Sequence, residues 1–232
     1  MSARLHEFKD GAALAEGLAE RVSTALAEAV AARGKATIAV SGGSTPKAFF
    51  KALSARDIDW PKVTITLVDE RFVPADNPRS NHLLVAENLL QGKAKAANFL
   101  PLFREADSAE EAAEIASADA AALGAPFDVV ILGMGTDGHT ASFFPGGSRL
   151  AEAISAQTPR GVITMEADGA GETRLTFTFS SLQDARLLVL HIEGEGKKDV
   201  LAAATGDGRE AEMPIRAILR RAATPVDIYW AP

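Results

Sequence analysis

Phe127 to Pro145 reads FDVVILGMGTDGHTASFFP. Val129-Val130-Ile131-Leu132 is a short apolar run, long enough for a buried strand and too short for a helix. It stops at Gly133, and a glycine-punctuated polar turn follows that carries Asp137 and His139. An acid and an imidazole delivered at the carboxyl end of a buried strand is how open α/β sheets present their chemistry. The stretch therefore predicts such a sheet, provided further strand–turn–helix units flank it.

Upstream, Thr37-Ile38-Ala39-Val40 predicts a buried strand, followed at once by Ser41-Gly42-Gly43-Ser44-Thr45. Pro46 suits a first helical turn, with Thr45 as its cap and the helix running to about Leu53. A strand, a hydroxyl-rich glycine turn and a helix N-terminus together favour an anion. Glycines let backbone N–H groups approach, the hydroxyls donate, and the helix dipole welcomes negative charge. The turn lacks the Gly-Lys-Ser/Thr triplet of a P-loop. Val63 to Val68 (VTITLV) predicts the next strand, with Asp69-Glu70-Arg71 at its carboxyl end. A solvated charge cluster would look the same from that piece alone.

Helices are predicted from the Asp10 cap to Arg33, ended by Gly34, and from Ser80-Asn81-His82 to about Leu90. A third runs from the Ser108/Glu111 capping box to Leu123. Pro101-Leu102-Phe103 reads as a connector. Beyond the central stretch, strands are predicted at 161–166, 173–179, 186–192 and 226–230, and helices at 194–204 and 214–222. In 173–179, Leu175, Phe177 and Phe179 alternate with Arg174, Thr176 and Thr178, which implies one more polar sheet face. The expected architecture is one α/β domain over 1–232. It has a Rossmann-like, mainly parallel sheet flanked by helices and some antiparallel strands in the C-terminal half.

Composition narrows the function. The 232 residues, 47% hydrophobic and 24% charged, can bury a full core. No apolar run approaches the roughly 18 residues of a membrane span, and no signal peptide is evident. The lack of cysteine removes disulfides and thiol nucleophiles and suits a cytoplasmic protein. A net charge of −7 gives no footprint for nucleic acid or anionic membrane. Nothing requires an oligomer, so a monomer is expected.

Gly133-Met134-Gly135-Thr136-Asp137-Gly138 matches the dinucleotide fingerprint only formally. Asp137 would face the pyrophosphate, Pro145 would interrupt the following helix, and no strand ending in an acid follows at the required distance. His6, His82 and His191 read as structural. His139, beside Asp137 in an open turn, reads as a general base whose tautomer the carboxylate fixes. Further metal ligands cannot be placed, and no G-x-S-x-G elbow exists, which leaves base-assisted attack by water.

Three segments in this order, SGGSTP (41–46), DERFVPADNPRSN (69–81) and GMGTDGHTASFFP (133–145), closely resemble the 6-phosphogluconolactonase family. Arg174, the Gly194-Glu195-Gly196-Lys197 turn and Pro214-Ile215-Arg216 extend the resemblance over nearly the whole chain. It implies a fold shared with glucosamine-6-phosphate deaminase and ribose-5-phosphate isomerase. It also implies hydrolysis of 6-phosphogluconolactone, a phosphorylated sugar lactone, without cofactor or metal. Deaminase relatives carry a ring-opening glutamate where this chain has Phe144, which cannot transfer a proton. The residue roles expected on this basis are as follows. Ser41, Gly42, Gly43, Ser44 and Thr45 take the phosphate, clamped by Arg174 and Lys197, while Asp69 and Glu70 contribute to the substrate site, Glu70 alternatively only holding Arg71 in place. His139 acts as base, Asp137 orients it, and Arg71 or backbone N–H groups stabilise the oxyanion.

Overall fold

A computed structural model of the chain describes residues 3–232. Ten strands form: β1 Arg4–Glu7, β2 Ala36–Val40, β3 Val63–Leu67, β4 Asp69–Arg71, β5 Asn98–Leu100, β6 Val129–Leu132, β7 Val162–Met165, β8 Arg174–Phe177, β9 Leu187–Glu193 and β10 Val226–Ala231. The helices are α1 Gly11–Arg33, α2 Lys47–Ser54, α3 Asn81–Asn88, α4 Ala109–Leu123, α5 Leu150–Ala153, α6 Phe179–Leu182, α7 Glu195–Thr205 and α8 Ile215–Arg221.

Seven strands build one parallel sheet in the order β1-β10-β9-β6-β2-β3-β5, and β4-β8-β7 form a small antiparallel sheet. The α/β architecture expected from the sequence is thus present. Strands β2, β6 and β9 are apolar along most of their length because helices cover both faces of the sheet. Helix α1 lays Leu14, Leu18, Val22 and Leu26 against it, all 0% exposed. Asp10 caps that helix through the Ala13 N–H, and Gly34 closes it in the left-handed conformation.

From β2 the chain moves outward one way, through β3 to β5, and later returns to β2's other side as β6. The order therefore reverses between β2 and β6, and the turns after these two strands lie side by side at their carboxyl ends. Ser41 N–H donates to Ile131 O at 3.0 Å, carrying the pairing past the end of β2. At the opposite end, buried Asp128 accepts from Thr37 N–H (2.8 Å), while Arg33 and Arg186 lie against its other oxygen.

Several expectations need correction. The expected strand over 63–68 forms as β3, but it does not run into a solvated charge cluster. Val68 N–H donates to Val40 O in the large sheet, and Val68 O accepts from Phe177 N–H in the small one. The chain crosses between sheets there, and Asp69–Arg71 begins a new strand. Thr45 does not cap α2, whose cap position is Pro46 with no side-chain bond. Strand β8 has the expected more polar face in Arg174 and Thr176, but that face is buried rather than turned to solvent. Phe179 starts a helical turn rather than ending a strand. Edge strands β1 and β5, short and weakly apolar, carry too little pattern to be read in advance.

Asp128→Ala removes the acceptor for a buried N–H between β2 and β6. It should cost about 1–3 kcal/mol in urea unfolding. A change below about 0.5 kcal/mol, the level of an ordinary surface substitution, would show that this clamp does not hold the two strands.

Candidate active site

Every predicted site residue except Glu70 lines a single cleft of about 490 Å³ over the carboxyl ends of β2 and β6. Ser41 to Thr45 form one wall. Gly42 is needed there for closeness, because any Cβ would run into the Asn81 side chain. Asn81 is itself held, its Nδ2 donating to Asp69 O at 2.9 Å. Gly43 has φ 93°, a conformation that favours glycine.

The opposite wall is the turn after β6. His139 Nδ1 lies 2.6 Å from Asp137 Oδ1, and the same oxygen accepts His139 N–H at 3.0 Å. Gly135 N–H donates to His139 O (2.8 Å), which folds the turn back on itself. Burial pushes the Asp137 carboxyl up, but the hydrogen bonds and charge supplied by His139 outweigh it, and the net shift is downward. Asp137 is therefore ionised at neutral pH. An ionised Asp137 makes Nδ1 the protonated nitrogen and leaves Nε2 as the basic one. Lys197 reaches the turn from α7, its Nζ donating to Met134 O at 2.7 Å.

The small antiparallel sheet supplies the roof. Arg71 and Arg174 are directly paired across β4 and β8, so their side chains emerge on one face. Arg174 is 7% exposed. Its Nη2 donates to Ala170 O (2.7 Å), Asp69 Oδ2 lies 4.0 Å from Nη1, and Nε has no partner. Arg71 gives Nη1 to Arg79 O, and its buried Nε is likewise unpartnered. Both arginines line the cleft, which brings two positive charges to it despite the chain's negative net charge. Asp69 is fixed between Arg174 and the turn, accepting from Ser142 Oγ at 2.5 Å.

Glu70 is the exception: its expected role as a substrate contact is corrected, and the alternative, that it holds Arg71 in place, agrees with its hydrogen bond to Arg71 N–H. It is 0% exposed and points away from the cleft. Its carboxylate accepts from the backbone N–H groups of Arg71, Asn81 and His82 and from Ser80 Oγ. Burial pushes this carboxyl up, only partly offset by those donors. Glu70 ties β4 to the start of α3, holding Arg71 by its main chain rather than by its guanidinium.

The cleft also takes in residues not singled out as contacts: Asn81, Phe144, the Asp168–Ala170 turn, His191 and Glu193. His191 is 3% exposed, with Nε2 3.0 Å from Glu193 Oε1 and its ring edge-on to Phe49, in keeping with a structural histidine. Asn81 reads from sequence only as a helix start. The Asp168–Ala170 turn carries no local signal, because its link to the site is one backbone carbonyl bound by Arg174. Among the described residues, no three His, Asp or Glu side chains converge as metal ligands, and no helix is long and apolar enough to cross a membrane.

The model of the family described as glucosamine-6-phosphate isomerases/6-phosphogluconolactonase matches residues 9–230. A protein of Rhizobium meliloti (strain 1021) named 6-phosphogluconolactonase is 69% identical over 232 residues, covering 100% of both chains. A Mesorhizobium japonicum protein of the same name is 52% identical, covering 97% of this chain and 94% of its own. The crystal structure of a 6-phosphogluconolactonase from Shewanella baltica OS155 is 41% identical. It superposes with a TM-score of 0.95 over 100% of this chain and 98% of that one.

A methyl group at Gly135 would overlap the His139 ring and crowd Asp137 Oδ1. Gly135→Ala should therefore disrupt the 2.6 Å contact and lower turnover by about 10²-fold, as expected for misplacing a catalytic group by an ångström. Circular dichroism should show the fold retained. Unchanged turnover would mean that the Asp137–His139 geometry is not critical.

Proposed function

Because this chain belongs to the glucosamine-6-phosphate isomerase/6-phosphogluconolactonase family, we propose that its cleft hydrolyses 6-phospho-D-glucono-1,5-lactone to 6-phospho-D-gluconate, the second step of the oxidative pentose phosphate pathway, with the chain working as one domain. The observation that carries the mechanism is the Asp137–His139 contact facing the Ser41–Thr45 turn across the cleft.

The 6-phosphate lies on the Gly42–Thr45 turn, where backbone N–H and hydroxyl donors meet the N-terminus of α2, with Lys197 and Arg174 as counter-charges. This places the lactone carbonyl toward the β6 turn. Nε2 of His139 removes a proton from a water molecule as its oxygen attacks C1, and Asp137 stabilises the imidazolium that forms. Arg71 faces the developing oxyanion, a charge present only along the reaction path. Collapse of the tetrahedral intermediate breaks the C1–ring oxygen bond. The ring oxygen then takes the proton back from Nε2, leaving a hydroxyl and a C1 carboxylic acid that ionises. No covalent enzyme intermediate and no redox partner is needed.

Freshly generated 6-phosphogluconolactone, assayed with correction for spontaneous opening, tests the activity. His139→Ala should reduce the enzymatic rate about 10²–10⁴-fold, the usual worth of a general base. Near-normal turnover in that variant would remove His139 from the mechanism. Burial pushes the Lys197 ammonium down, and Asp137 offsets this only in part. The lysine therefore loses its charge below the ordinary range near about 10.4 as pH rises. Affinity for 6-phosphogluconate, measured by calorimetry, should weaken on the alkaline side, and Lys197→Arg should abolish that weakening. The same alkaline limb in both proteins would place Lys197 away from the phosphate.

A further inference from the structure

We infer that Phe144 is a positioning residue, a single ring that fixes both the base and a phosphate-side cation. The inference rests on the lactonase reading above. Phe143 and Phe144 are consecutive but serve opposite sides of their turn. Phe143 is 0% exposed in the core, while Phe144 lines the cleft. The root of the Phe144 ring is fixed. Its N–H donates to Ser142 O (3.1 Å) and its carbonyl accepts from Gly147 N–H (3.0 Å).

From that root the ring meets two of the groups that matter. Its centroid is 4.7 Å from that of the His139 imidazole, at an interplanar angle of 44°. Cζ of Arg174 lies 5.4 Å from the same centroid, within cation–π range. Each partner is otherwise incompletely constrained. Asp137 binds His139 at Nδ1 alone among the ring atoms, and an imidazole held at one atom can pivot about it. Arg174 has one close acceptor, Ala170 O, and Nε makes no bond. A flat ring against both removes the pivot of the imidazole and holds the guanidinium plane in one orientation. Loss of the ring should therefore lower kcat through His139 and raise KM through Arg174, two effects from one side chain.

The test compares Phe144→Leu, which keeps much of the bulk, with Phe144→Tyr, which keeps the ring. Phe144→Leu should lower kcat and raise KM, each by about 10-fold, with thermal stability close to wild type. Phe144→Tyr should restore both. In an Arg174→Met background, Phe144→Leu should no longer raise KM, since its effect there runs through Arg174. In the free protein, the His139 ring ¹H–¹⁵N signals should shift and average in the leucine variant and stay put in the tyrosine variant. The inference is overturned if Phe144→Leu leaves kcat and KM within about twofold of wild type, if its KM effect persists beside Arg174→Met, or if the ring signals do not move. Failure of the wild-type chain to hydrolyse the lactone would defeat the lactonase reading by itself, and the ring signals would still decide the role of Phe144.

Discussion

Everything in the cleft depends on β2 and β6 being parallel neighbours. The pairing runs in register from Ile38–Val129 to Val40–Ile131 and continues through Ser41 N–H to Ile131 O. Two glycine turns of different chemistry are thereby held face to face, one rich in hydroxyls and one bearing Asp137 and His139. Parallel strands need long crossovers, so the two turns lie far apart in the chain yet share one end of the sheet. Asp128 clamps the far end of the same strand pair, which makes the separation of the two walls a property of the core rather than of the loops.

The small antiparallel sheet adds what two turns cannot, a pair of cations at fixed spacing. Guanidiniums repel each other, and bringing Arg71 beside Arg174 costs free energy that must be recovered elsewhere. Asp69 supplies part of it from 4.0 Å, and the backbone carbonyls of Ala170 and Arg79 accept from the two side chains. The Nε groups of both arginines stay buried and unpartnered. Glu70 works beneath this arrangement. A fully buried carboxylate meeting four donors from two segments makes β4 and the start of α3 one rigid piece.

How much of this was legible in the sequence follows from the range of each interaction. The buried strands, the Asp10 and Ser108 caps and both glycine turns rest on residues close in sequence, and they were readable. Asp137 and His139 were identifiable because they are two residues apart in one turn. Thr45 looked like a cap by position, but Pro46 takes the cap place and Thr45 lines the cleft. That Glu70 holds Arg71 was legible, but that it faces away from the substrate was not, because three of its donors come from residues 80–82. Phe144 drew notice only as a residue that is not an acid. Its contact with His139 lies within one turn, but that with Arg174 exists only because the second sheet folds over the first.

The central claim is that one cleft has two chemically distinct ends, phosphate at the β2 turn and carbonyl chemistry at the β6 turn. The measurement that tests it most directly is a crystal structure with 6-phosphogluconate bound. The account predicts the phosphate on the backbone of Gly42 to Thr45 near Lys197 and Arg174, with the C1 carboxylate beside Nε2 of His139 and the guanidinium of Arg71. A product bound the other way round, with its phosphate against His139 and its carboxylate on the glycine turn, would contradict it.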